Sequence, residues 1–196
     1  ACTIVMSGIH DDQFPIDIFQ AGSGTSTQMN VNEVIANIAA VELGGRPGYR
    51  ERVHPNDHVN KGQSTNNVFP SAIRLACLNQ SQELKTALDR LIAAFQKKAD
   101  QFAAVVTSAR THLQDAVPIT LGQEFGAYAA ALTKAGQRIA EAGVNLLELG
   151  VGGNAVGTGI NTKPEFRSLI VHALKKDMGL SFKVPQNGIE ITQFMS

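Results

Sequence analysis

Two long apolar rhythms limit what this 196-residue chain can fold into. Leu121, Phe125, Tyr128, Leu132, Ala135, Ile139, Ala142, Leu146 and Leu149 recur in strict steps of four and three. That spacing lines one face of a helix and is the pattern of a helical bundle or coiled coil. A second run, Leu84, Leu88, Leu91, Phe95, Ala99, Phe102 and Val106, keeps the rhythm with one extra step of four. Extended back through Ala76, Ile73 and Phe69, it predicts a helix from near Asn67 to near Ser108, about 60 Å long at the usual rise per residue. Such a helix outruns a small domain and needs partners along its length. Helices from other subunits are the simplest supply. The chain is therefore expected to be mainly α, with a long-helix bundle and no strand-rich segment.

Local chemistry supports these limits. Ser64, Thr65 and Asn66 are natural cap residues ahead of the first long helix, and Pro70 is tolerated in a first turn. Thr120 with Gln123 fits a capping box for the second. Gly126, Gly136 and Gly143 inside it each cost about 1 kcal/mol relative to Ala, so a neighbouring helix is expected to approach closely there. A glycine-rich stretch, Gly150 to Gly159, ends that helix. A shorter helix is predicted from Pro164 to Met178, stopped by Gly179, and a further element begins near Gly188. Before Gln63 the chain is rich in Gly, Pro, Asn and Asp, apart from a helical stretch near Asn32 to Leu43. From Arg46 to Gln63 it reads as a polar, irregular loop of the kind that carries function.

Composition removes several function classes. Lys plus Arg equals Asp plus Glu at 17 each, so there is no electrostatic footprint for nucleic acid or an anionic membrane. Cys2 and Cys77 make no disulfide framework and are expected as reduced, partly buried thiols of a cytoplasmic protein. No apolar run approaches a membrane span. The beginning, Ala1-Cys2-Thr3-Ile4-Val5, lacks an initiator Met and a signal-peptide pattern, and is expected to lie partway along a longer gene product.

Four polar segments could carry chemistry. In GSGTSTQMN, Gly22 to Asn30, hydroxyls precede a helix whose N-terminal amides suit a carboxylate or phosphate; the alternative is a plain capping loop. In RVHPND, Arg52 to Asp57, His54 and His58 are four apart, but Pro55 pushes His54 out of helical geometry, which disfavours a metal site against a polar loop. GQSTNN, Gly62 to Asn67, places Ser64, Thr65 and Asn66 at a helix start, where capping and anion binding can coincide. RTHLQDA, Arg110 to Ala116, sets a hydroxyl beside an imidazole between the two long helices. The glycine-rich loop follows no strand and precedes no Lys-Ser/Thr, so it reads as a helix-ending turn and not a nucleotide site.

As an ordered set, GSGTSTQMNVNEVIAN, HPNDHVNKGQSTNNVFP, RTHLQDAVPITLGQEF and GGNAVGTGINTKPEF closely resemble class II fumarases and the related aspartases over essentially the whole chain. The resemblance implies residues 1–63 as the remainder of a mixed N-terminal lyase domain and 64–196 as part of a central helical bundle. It implies a homotetramer with active sites shared among three subunits, no cofactor, and a small dicarboxylate, fumarate or malate, as substrate. It assigns substrate binding to Ser23, Gly24 and Thr25, to Ser64, Thr65 and Asn66, and to Thr111. His112 takes the acid/base or water-activating position, and His54, Asn56 and Asp57 match a secondary dicarboxylate site. The family commonly has Asp where this chain has Asn67. The family's mobile loop GSSxMPxKxNP, which supplies the serine base, does not occur in these residues, so this polypeptide alone is expected not to turn over substrate. Thr111-His112 and Gly22-Ser23-Gly24 lean toward fumarase over aspartase. A non-enzymatic use as an oligomerising helical module is the alternative from another class.

Overall fold

The structure is a computed structural model, and it describes residues 1–20 and 24–194. In chain order the elements are α1 (Cys2–Met6), a 3-10 turn (Asp11–Gln13), α2 (Thr25–Glu42), a π-helical turn (Pro55–Val59), α3 (Thr65–Gln101), β1 (Val106–Thr111), β2 (Gln114–Thr120), α4 (Leu121–Asn145), α5 (Phe166–Met178) and α6 (Gly188–Gln193). Long helices dominate, as the apolar rhythms require.

The chain groups into two compact units. One holds Ala1–Arg74 and Leu147–Ser196; the other holds Leu75–Leu146. The chain beyond α4 returns to the unit that contains the start of α3.

In the first unit, Val34, Ala36 and Ala40 on α2 are buried, as are Leu149, Val151, Val171, Phe182 and Ile191. Leu149 was expected as the last apolar position of the second long helix, but α4 ends at Asn145. Leu149 instead donates its N–H to the Lys183 carbonyl at 3.0 Å and is 0 % exposed. Its backbone is satisfied by that short bridge between Glu148 and Lys183, which frees the side chain to fill the core.

In the second unit, α3 and α4 are joined by a β-hairpin that the helical rhythm concealed. The helix expected to reach Ser108 stops at Gln101. Val105, Val106 and Thr107 are β-branched, which favours a pleated backbone. Val106 pairs with Thr120 and Thr111 with Gln114, with a bulge between Ser108 and Arg110. The ends of the two helices close tightly: Leu121 N–H donates to Val105 O at 2.8 Å and Gly122 N–H to Phe102 O at 3.0 Å. A Cβ on Gly122 would meet Ala99 O at 2.4 Å. Of the three glycines expected to face a close helix, Gly136 does, with Leu88 Cδ2 3.0 Å from where its Cβ would stand. Gly126 and Gly143 have only ordinary contacts at 3.8 and 3.9 Å. The capping box at Thr120 and Gln123 is present. Phe95, Phe102, Phe125 and Tyr128 stack between the helices with ring centroids 5.6 to 6.1 Å apart. Much of the remaining apolar face is open: Leu84 is 51 % exposed, Leu91 45 % and Val144 56 %. Pro70 falls in the second turn of α3 and not the first, and its ring cannot donate to the Asn66 carbonyl.

Candidate active site

The first unit brings two helix starts together. Gly24 caps α2 with φ +83°, a left-handed conformation that costs glycine nothing. A Cβ there would lie 2.5 Å from the ring of Phe69, which stands one turn into α3. The absence of a side chain at Gly24 thus lets the Phe69 ring of α3 pack on the start of α2. Thr25, the first residue of α2, is exposed. Thr27 is occupied locally: its Oγ1 accepts from Gln20 Nε2 at 2.6 Å and its N–H donates to Gln20 Oε1 at 3.3 Å. Ser23, the first of the expected binding residues, lies outside the described residues.

At the start of α3, Ser64 Oγ accepts from Asn66 N–H at 3.2 Å, and the Ser64 carbonyl accepts from Val68 N–H at 3.0 Å. Ser64 and Thr65 are half-buried and Asn66 is exposed. Asn66 Nδ2 donates to the Ala155 carbonyl at 2.8 Å. Asn67, the departure from the usual Asp, is buried, and its Nδ2 donates to the Asn154 carbonyl. The glycine-rich loop is therefore a wall of the site and not merely the end of a helix. Helix N-termini with hydroxyls and an amide among them, such as the starts of α2 and α3, suit a carboxylate.

The segment around His54 is more ordered than the irregular loop expected from its polarity. His54 keeps an extended backbone before Pro55, and its Nδ1 accepts from Asn56 N–H and Asp57 N–H, both at 3.2 Å. Its own N–H donates to His58 Nδ1 at 2.8 Å. Accepting at Nδ1 places the proton of each neutral imidazole on Nε2, leaving that atom as the donor for an anion. Asp57 Oδ2 lies 3.3 Å from His54 Nδ1, an ion pair once the imidazole is protonated. This turn is tied to α2 by Gln28 Nε2 donating to Asn60 Oδ1 at 2.9 Å. Among the described residues no group of three or more His, Cys, Asp or Glu is placed to hold a metal ion. Cys2 and Cys77, expected partly buried, are both exposed.

Thr111 and His112 belong to the second unit. The β-hairpin turns through His112 and Leu113, with φ of +48° and +62°. Two consecutive left-handed residues make the primed turn that matches strand twist, a role usually filled by Asn-Gly. Thr111 and His112 are exposed, Leu113 is 92 % exposed, and Arg110 Nε reaches Asp115 Oδ1 at 3.3 Å across the strands. The one clear pKa displacement is elsewhere: donating a hydrogen bond to the Glu124 carboxylate raises the Tyr128 phenol above its ordinary value.

Sequence reasoning missed Phe69, Asn154 and Ala155 as site-building residues. Asn154 carries a readable trace, an Asn directly after two glycines, a non-glycine type that tolerates its φ of +59°. Its pairing with Asn67, 87 positions earlier, leaves no local trace.

A sequence profile of a family described as lyase matches residues 1–194. The chain belongs to this lyase family. Class II fumarate hydratase of Halobacterium salinarum is 50 % identical over 187 residues, covering 95 % of this chain and 40 % of the relative. Aspartate ammonia-lyase of Helicobacter pylori is 45 % identical over 193 residues, covering 98 % of this chain and 41 % of the relative. The crystal structure of a fumarate lyase:delta crystallin from Brucella melitensis bound to cobalt superposes with TM-score 0.91 at 46 % identity, covering 97 % of this chain and 42 % of that one. Class II fumarase of Schistosoma mansoni gives TM-score 0.86 at 38 % identity over 96 % of this chain and 43 % of that one. The lyase-family chain thus spans about 40 % of the length of the curated relatives it matches. No helix among its described residues is long and apolar enough to cross a membrane.

Proposed function

We propose that the protein carrying this chain is a fumarate hydratase, catalysing reversible anti addition of water to fumarate to give L-malate. The observation that carries the reading is the Phe69 ring of α3 packed on Gly24 at the polar start of α2, in a chain 50 % identical to a class II fumarate hydratase. Ser23, Gly24, Thr25, Ser64, Thr65 and Asn66 hold a carboxylate of the substrate, and Thr111 assists from the hairpin. As water adds, its oxygen bonds to carbon 2 and keeps one hydrogen as the product hydroxyl, its other proton is taken up by a base, and a proton is delivered to carbon 3. His112 serves as the acid/base or water-activating group for that transfer. Charge building on the carboxylate is stabilised by the hydroxyls and amides around it. His54, Asn56 and Asp57 form a secondary dicarboxylate site at the neighbouring turn, and no cofactor takes part.

Residues 1–63 then belong to an N-terminal lyase domain and residues 64–196 to a central bundle. Homotetramer formation covers the open apolar faces of α3 and α4, as at Leu84 and Leu91. A tetramer also shares each active site among three subunits. The protein works in the cytoplasm.

The test is an absorbance assay at about 240 nm, where the product double bond is read, on the complete gene product with malate and then aspartate as substrates. Turnover of malate but not aspartate supports the hydratase. Turnover of aspartate alone favours ammonia-lyase activity, the second reading, which rests on the 45 % identity to the Helicobacter enzyme. Stable oligomers with neither activity would leave the helical-module reading.

A further inference from the structure

We infer that Asn67 is a positioning residue whose buried amide latches the glycine-rich loop to α3, so that the Ala155 carbonyl holds the side chain of Asn66 in its binding orientation. The inference rests on the reading of Asn66 as a substrate-binding residue. Asn67 is 1 % exposed and donates from Nδ2 to the Asn154 carbonyl. The next carbonyl along the loop, that of Ala155, accepts from Asn66 Nδ2 at 2.8 Å. Two adjacent residues of one helix thus grip two adjacent carbonyls of one loop. The buried bond sets where the loop lies; the exposed bond sets the orientation of Asn66.

The rest of the loop is held too tightly to readjust by itself. Asn154 donates from Nδ2 to the Ile160 carbonyl, and Arg167 donates to the Gly157 carbonyl at 2.6 Å. A Cβ on Gly152 would meet Arg167 Cα at 3.0 Å, and one on Gly150 would meet Asn67 Cβ at 3.4 Å. The Asn67 amide meets the chemistry at this position. Facing a carbonyl requires an N–H donor, and Asn67 Oδ1 has no partner, so a carboxylate there would set buried acceptors against an acceptor. Only one of the two Nδ2 hydrogens of Asn66 is used on Ala155, which leaves the other hydrogen and Oδ1 for a ligand.

The experiment uses the complete gene product with Asn67→Leu, which keeps the branched heavy-atom shape and removes the donor. Val171→Ala, a core deletion on α5, is the stability-matched control. With fumarate and malate as substrates, kcat/KM of Asn67→Leu is expected to fall roughly ten- to a hundred-fold, with KM taking the larger share. Val171→Ala should lose thermal stability and keep kcat/KM. Adding Asn66→Ala to Asn67→Leu should cost little more, because both act through one side chain. Asn154→Gly, which suits the left-handed backbone and frees the loop from Ile160, should lower kcat/KM in the same direction and keeps the test open if Asn67→Leu does not fold. If Asn67→Leu behaves like Val171→Ala, losing stability alone, the latch is overturned. If the wild type turns over neither malate nor aspartate, the hydratase reading fails instead. Amide exchange then decides the latch separately: residues 150–160 must exchange faster in Asn67→Leu, and unchanged exchange overturns it.

Discussion

The helix starts of the first unit and the hairpin of the second are built on opposite principles. Around Gly24, Ser64 and Asn66 the backbone is locked by distant partners: Phe69 against Gly24, Ala155 on Asn66, Asn154 on Asn67. At His112 and Leu113 a two-residue turn stands exposed, held by its own strand pairing and the Arg110–Asp115 contact. The first arrangement presets donors for a charge. The second presents a reactive side chain on a short rigid support. In the proposed function the first set are binding groups, which need preorganisation, and His112 is an acid/base group, which must project.

The contrast can be broken in several ways. The largest expected effect is at the hairpin: His112→Asn should lower kcat about 10²- to 10⁴-fold with little change in thermal stability, read by steady-state assay and calorimetry. Near-parental kcat would remove His112 from the chemistry. In the first unit the expectation reverses. Leu149→Ala should cost about 2–5 kcal/mol in denaturant unfolding, because Leu149 is fully enclosed. Leu91→Ala, half-open in one chain, should cost distinctly less whenever the protein is dissociated. Equal costs in dissociated protein would show that the two regions are not differently packed. Removing the α4 cap with Thr120→Ala should lose about 1 kcal/mol, and loss well beyond that would mean the cap also holds the hairpin. The smallest effect has the opposite sign: Leu113→Asn relieves a left-handed leucine and should stabilise the hairpin by up to about 1 kcal/mol, measured as slower amide exchange in β1 and β2. A destabilised hairpin would show that the leucine side chain holds the turn.

Legibility followed the range of the interactions. The long helices were readable because burial of one helical face repeats every three or four residues, and Thr120 with Gln123 announces the start of α4 within a single turn. The hairpin was not, because Phe102 and Val106 continue the helical rhythm into a segment whose β-branched residues and turn decide otherwise. Leu149 kept the rhythm too, yet its backbone is claimed by Lys183. In the site, the polar types at Thr25, Ser64 to Asn66 and His112 stood out locally, while the work of Asn67 did not.

The order of the motifs, the helical class and the candidate donors are thus properties of the amino-acid sequence, since each arises from neighbours within a few turns. Tertiary structure alone decided that Phe69 sits over Gly24 and that Asn154 and Ala155 take hold of Asn67 and Asn66. Those outcomes depend on contacts between residues tens of positions apart. A buried amide finds its carbonyl only once the whole loop has closed.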